Sequence, residues 1–257
     1  MFSRSPKSFR RPKPVGLLLW MLVLISSFAL PGCRQGFLVS RPDGGSNVPF
    51  CRPAGKGPFP TVIYNHGLIV DRWGIGGAAR RGYNLEGICN TLASDGYLTF
   101  TPIRQSGEGN IPGHKEEVSH AIDYIRTLPD VDPFRIALMG FSRGGLLTLM
   151  VGVGRSDLKA LAILAPAPGG RGDFAKAVTL VPSLSAPVLL MVEASDGSDI
   201  LENFNMLDQA LRERGKEARS ILYDRGGGHQ LFYDVGYYWN DIRAFLRDKL
   251  GGMAPQP

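Results

Sequence analysis

The chain has 257 residues, 44% of them hydrophobic and 20% charged, which suits one sizeable core and excludes a largely disordered or low-complexity protein. Its formal charge of +6 invites an acidic partner, but five of the cations (Arg4, Lys7, Arg10, Arg11, Lys13) and no acid lie in the first 32 residues. The rest carries 24 Lys and Arg against 23 Asp and Glu, so a folded domain of nearly neutral charge gives no basis for nucleic-acid binding.

The basic stretch to Lys13, the uncharged apolar run Val15–Leu30 and the following Pro31-Gly32-Cys33 read as a secretory signal over residues 1–32. The run is shorter than the roughly twenty residues of a spanning helix. An uncleaved anchor is the alternative. Leu30-Pro31-Gly32-Cys33 resembles a bacterial lipoprotein lipobox, which implies cleavage before Cys33, lipidation of its thiol and a place in the cell envelope, facing the periplasm. If Cys33 carries lipid, Cys51 and Cys89 remain as a disulfide pair; in the competing reading Cys89, beside Ile88 on an apolar helix face, is an ordinary buried thiol.

Residues 33–60 form a Gly-, Pro- and Arg-rich N-terminal segment in which only Gly36–Ser40 has the pattern of a strand. The main domain spans 61–250, with a short tail at 251–257. Thr61–Asn65 is a β-branched apolar run between prolines and His66-Gly67, and reads as a buried strand. Leu68–Tyr83 reads as a long glycine- and arginine-rich loop. Asn84 caps a helix with Leu85, Ile88 and Leu92 as its stripe, Asp95-Gly96 ends it, and Tyr97–Thr101 is the next strand. A second glycine-rich loop, Arg104–Gly113, leads to a helix over His114–Leu128. A strand then runs through Arg135 to the turn Gly140-Phe141-Ser142-Arg143-Gly144, and the apolar helix after it holds Leu146, Leu147, Leu149, Met150 and Val151. Beyond it come a strand at Ala160–Leu164, a connection over Ala165–Ser185 with one helical turn, and a strand at Pro187–Val192. A helix at Ile200–Arg214, a strand at Ser220–Tyr223 and a closing helix at Tyr237–Leu250 complete the chain. Continuous apolar strands alternating with helices predict an α/β fold, its mostly parallel sheet covered on both faces.

Gly-x-Ser-x-Gly between a buried strand and a buried helix places Ser142 on a strained turn, where a β-carbon at Gly140 or Gly144 would crowd its neighbours. A serine hydroxyl needs an imidazole to take its proton and a carboxylate to orient that imidazole. His229 follows a strand in the loop Arg225-Gly226-Gly227-Gly228, the place for a base; His120 lies on a helix face and reads as solvated or half-buried. After the strand ending at Val192, Asp196 stands in a turn closed by Gly197. Glu193 at the strand tip is a substitute carboxylate, and Asp199 suits the N-cap of the next helix.

The order Ser142, Asp196, His229 is that of α/β-hydrolases. Pro58-Phe59-Pro60, Tyr64-Asn65-His66-Gly67, the Ser142 turn, Asp196 and Gly228-His229 together resemble the dienelactone-hydrolase-like branch of that superfamily, related to prolyl-oligopeptidase catalytic domains, over roughly residues 55–250. The resemblance implies an α/β-hydrolase fold and an oxyanion hole made by the backbone N–H groups of Arg143 and Leu68. His66 reads as holding its loop, with a second base as the alternative. Two departures stand out: the nucleophile is serine where dienelactone hydrolases proper use cysteine, and Glu193 stands where the family often has glycine. With about twenty residues between the strands ending at Leu164 and starting at Pro187, no large lid domain fits. Phe141, Trp73, Tyr83 and Trp239 are candidates for an acyl pocket, and Arg143 at its mouth is either a solvated cation or a substrate clamp. The expected activity is a serine carboxylesterase cleaving a small-molecule ester through an acyl-enzyme; a serine peptidase acting on short peptides and a non-catalytic envelope binding module are the alternatives. Cys and His do not cluster at metal-ligand spacing, so no metal or cofactor is expected, and the sequence sets no oligomeric state.

Overall fold

Strands that must be buried on both faces need apolar residues at every position, and four of this chain's strands have nearly that. A computed structural model describes residues 34–37, 49–170 and 172–251; the signal segment over 1–32, Cys33 and the tail beyond residue 251 lie outside them. The strands are β1 (Arg34–Phe37), β2 (Pro49–Arg52), β3 (Phe59–Asn65), β4 (Leu98–Phe100), β5 (Val131–Phe141), β6 (Ala160–Leu164), β7 (Val188–Glu193) and β8 (Ala218–Tyr223). They form one sheet in the order β1-β2-β4-β3-β5-β6-β7-β8. From β4 to β8 all neighbours are parallel, and β2 is antiparallel to both β1 and β4. Every residue of β3, β6 and β7 is buried. Successive side chains of a strand point to opposite faces, so the middle of the sheet is covered on both sides.

The helices are α1 (Leu68–Ala79), α2 (Leu85–Ser94), α3 (Ile111–Ile125), α4 (Arg143–Gly152), α5 (Asp173–Thr179), α6 (Ser198–Glu213) and α7 (Trp239–Leu250). The parallel register aligns the strands' carboxyl ends: Asn65 pairs with Gly140, Phe141 with Leu164, Leu164 with Met191 and Glu193 with Tyr223. That is the side on which α/β sheets bind ligands. α4 lies against β3, β5 and β6, so the residue before it is fixed at the centre of that end.

The structure departs from the sequence reading in several elements. Leu68–Tyr83 is mainly helix, not loop: α1 is broken at Gly74 (φ 65°, ψ 175°), and only Val70, Gly77 and Ala78 of it are buried, too few to make a periodic stripe. β2 has no counterpart in the sequence reading because Pro49 opens its four residues and Pro53 follows them, and the strand expected at Gly36–Ser40 is described from Arg34 to Phe37 as β1, residues 38–40 lying outside the described ones. α3 starts at Ile111, where the Asn110 side chain accepts from the Gly113 N–H and Pro112 occupies the first turn, a position that needs no proline N–H. Gly197, not Asp199, occupies the N-cap of α6; Asp199 sits in the first turn, where its charge meets the helix dipole favourably. Also absent from the sequence reading are α5 as a full helix and the 3-10 turns over Val181–Ser183 and Gly228–Tyr233.

Cys51 on β2 and Cys89 on α2 are joined as a disulfide with a Cα–Cα distance of 5.6 Å, and both are buried. Among the described residues no helix is long and apolar enough to cross a membrane.

Candidate active site

β5 ends at Phe141 and α4 begins at Arg143, leaving one residue, Ser142, to reverse the chain. It does so at φ 55° and ψ −117°, a region an L-residue enters only under constraint. The constraint is visible: Ser142 N–H donates to Leu164 O at 2.9 Å, and Ser142 O accepts from Ala167 and Leu146 N–H at 3.0 and 3.1 Å. The flanking glycines let three backbones meet. A β-carbon on Gly144 would stand 1.9 Å from Asn65 O, and one on Gly140 would stand 2.2 Å from Gly144 O.

Asp196 leaves the end of β7 and His229 the loop after β8. His229 Nδ1 lies 2.9 Å from Oδ2 and 3.1 Å from Oδ1 of Asp196. A carboxylate only accepts, so Nδ1 holds the proton of the neutral ring and Nε2 keeps its lone pair. The Asp196 side chain is 2% exposed and its Oδ1 also accepts from Gly197 N–H at 2.7 Å. The buried ring of Phe141 backs the imidazole, with centroids 4.6 Å apart. Glu193 does not take Asp196's place. It is turned to the backbone: its carboxylate accepts from Ser195 N–H (2.7 Å), the Ser195 hydroxyl, Gly226 N–H (2.8 Å) and Gly228 N–H (3.1 Å). The Ser195 hydroxyl, followed by those N–H groups, outweighs burial and holds Glu193 below the usual carboxylate range.

His66 and Gly67 join β3 to α1. The His66 ring is fully buried, its Nδ1 2.8 Å from Arg104 Nη2 and 3.0 Å from Gly67 O. Burial, reinforced by the Arg104 charge, lowers its pKa well below the usual histidine range, so it is neutral. Arg104 also donates to His66 O at 2.9 Å and to both oxygens of Asp71, and Gly67 N–H donates to the buried Tyr83 hydroxyl at 3.2 Å. The loop that presents Leu68 is therefore fixed from both sides. Arg143 is neither solvated nor free: its side chain is 13% exposed, with Nη1 on Glu108 O and 3.7 Å from Asp71.

Ser142 and His229 line one cleft of about 300 Å³ together with Leu68, Ile69, Phe141 and Tyr233. Arg72, paired with Glu108, and Trp73, covered by Arg81 at 4.0 Å, stand at its wall. Among the described residues no hydrogen bond joins Ser142 to His229, a contact that sites of this kind often tighten only with substrate bound. Trp239 is not part of this cleft: it is buried in α7, with its Nε1 on Asp95. Tyr83 stands one layer behind, against Phe141. His120 is exposed on α3. Sequence reasoning weighed Glu193 only as a substitute for Asp196, not as the anion between the two loops, and missed Arg104, Asp71, Ile69 and Tyr233; the glycine triplet before His229 was the one local hint that something anionic is wrapped there. Among the described residues no group of His, Cys, Asp and Glu is arranged to hold a metal ion.

Comparison with known proteins agrees with this architecture. A Salmonella typhi protein named as a carboxymethylenebutenolidase is 26% identical over 236 residues, covering 80% of this chain and 82% of its own length. An Escherichia coli K12 protein of the same name is 26% identical over 224 residues, covering 77% and 79%. An esterase of the fungus Rhizomucor miehei shares the fold, with a TM-score of 0.66 at 18% identity over 85% of this chain and 83% of the other. The model of the dienelactone hydrolase family matches residues 104–235, from the arginine that braces the His66 loop to the residues just past His229, and to that family of hydrolases the chain belongs.

Proposed function

We propose that the protein is an exported serine hydrolase that cleaves a carboxylic ester through an acyl-enzyme on Ser142. His229 removes the hydroxyl proton as Ser142 Oγ attacks the ester carbonyl; Asp196 holds the imidazole in the required tautomer and offsets its positive charge. The backbone N–H groups of Arg143 and Leu68 receive the oxyanion, each contributing about 3 kcal/mol to the transition state. His229 returns the proton to the departing alcohol, and water, deprotonated by the same imidazole, then releases the acid. The observation that carries this reading is the His229–Asp196 pair opening onto the same cleft as a serine held at positive φ. Phe141, Leu68 and Ile69 give the cleft an apolar wall suited to a short acyl group, which favours an ester over a charged peptide. Among the described residues only α5 and a 3-10 turn lie between β6 and β7, which supports a cleft open to small substrates.

The basic and apolar runs ahead of Cys33 support export with a lipid anchor at that cysteine, and the Cys51–Cys89 disulfide is the kind of bond an oxidising compartment preserves. The test is direct. Ser142→Ala is expected to abolish hydrolysis of p-nitrophenyl butyrate and labelling by a fluorophosphonate probe, in a protein that remains folded. Unchanged turnover in that variant refutes the reading, and a panel of aminoacyl arylamides run beside the esters decides between esterase and peptidase.

A further inference from the structure

We propose that Glu193 is a positioning residue that locks Asp196 and His229 into register, an inference that rests on the catalytic reading of Ser142 given above. Glu193 is the last residue of β7 and is 1% exposed. One of its carboxylate oxygens accepts from Ser195 N–H, the Ser195 hydroxyl and Gly228 N–H, and the other accepts from Gly226 N–H. Ser195 immediately precedes Asp196, and Gly228 immediately precedes His229. A single anion thus fastens both loops at the peptide before each member of the pair.

The glycine run is shaped for this. Gly226, Gly227 and Gly228 all have positive φ (81°, 106° and 50°), a region open to glycine, and the turn they make aims the Gly226 and Gly228 N–H groups at the one carboxylate. The loops are also in contact without it: a β-carbon on Gly228 would stand 3.1 Å from Ser195 O. Packing alone would let the two loops slide past one another, whereas donors converging on one carboxylate fix their relative height. Among the described strands β8 pairs with β7 alone, so beyond the strand ends this link ties the histidine loop to the acid's turn alongside the His229–Asp196 bond itself.

Glu193→Gln tests the proposal, because the amide matches the carboxylate in size but offers one accepting oxygen and aims an NH₂ group at a backbone donor. With p-nitrophenyl butyrate, kcat is expected to fall by about tenfold or more, the scale set by small misplacements of a catalytic group, while KM stays within about threefold. In a His229→Ala background the same substitution is expected to cost nothing further, since a residue that acts through His229 has nothing left to act on. A urea unfolding midpoint close to that of the parent separates positioning from loss of fold. If Glu193→Gln does not accumulate as folded protein, Ser195→Ala replaces it: loss of that hydroxyl is expected to lower kcat severalfold at unchanged KM. Full kcat in the variant, or an equal loss with and without His229, overturns the proposal while leaving the Ser142 reading intact. Activity surviving Ser142→Ala overturns both.

Discussion

One methyl group at residue 144 measures how tightly the elbow is built. The β-carbon of an alanine there would have to occupy space 1.9 Å from Asn65 O and 2.5 Å from Asn65 C, and both atoms belong to the backbone of a central strand. Neither β3 nor α4 yields without disturbing the sheet, so Gly144→Ala is expected to cost about 3 kcal/mol or more, or to prevent folding. The control is Gly154→Ala, on exposed chain where the nearest atom would be 3.7 Å away; its urea midpoint should match the parent's. Residues such as Ser142, Asp196 and His229 stand out in the sequence because chemistry restricts them to few types and strand ends restrict them to few places. The roles of Arg104 and Glu193 do not, because what gives them meaning is a partner far along the chain or on another loop. Arg104 meets His66 across 38 positions, and Glu193 meets Gly228 across 35. No local pattern announces such pairs.

Among the elements, the disulfide has the most measurable consequence. It closes 38 residues of chain between β2 and α2, and a loop of that length contributes about 4 kcal/mol by restricting the unfolded state. Reduction, or replacement of Cys51 and Cys89 by serine, should therefore lower the melting temperature by roughly 10 °C for a domain of this size. The proposed ester hydrolysis at 25 °C should survive, because β2 is separated from β5, the strand that leads into Ser142, by β4 and β3. Loss of activity in step with reduction would contradict this placement. The strands buried on both faces were readable because continuous apolar runs leave no other reading. β2 and α1 were not: β2 is fixed by its pairing with β4 and by the bond to α2, and α1 persists across a glycine break through contacts that only the assembled fold supplies.

At the scale of the whole molecule, the proposed machinery is gathered from the ends of β3, β5, β7 and β8, and these strands are not equally secure. β5 and β7 lie inside the sheet. β8 lies at its edge, mixes exposed with half-buried residues along its length, and leads into an exposed loop over residues 224–227. Local opening begins where burial is least, so the edge can detach at a free-energy cost well below that of global unfolding. Catalysis and fold should then fail at different temperatures. On slow heating, fluorophosphonate labelling is expected to decline several degrees before the far-ultraviolet circular dichroism signal, and to recover on cooling from that interval. Coincident loss of the two signals would show that β8 holds to the end. With the proposed base in the loop after an edge strand, the protein would serve as a thermometer of its own rim, falling silent while most of the molecule is still intact.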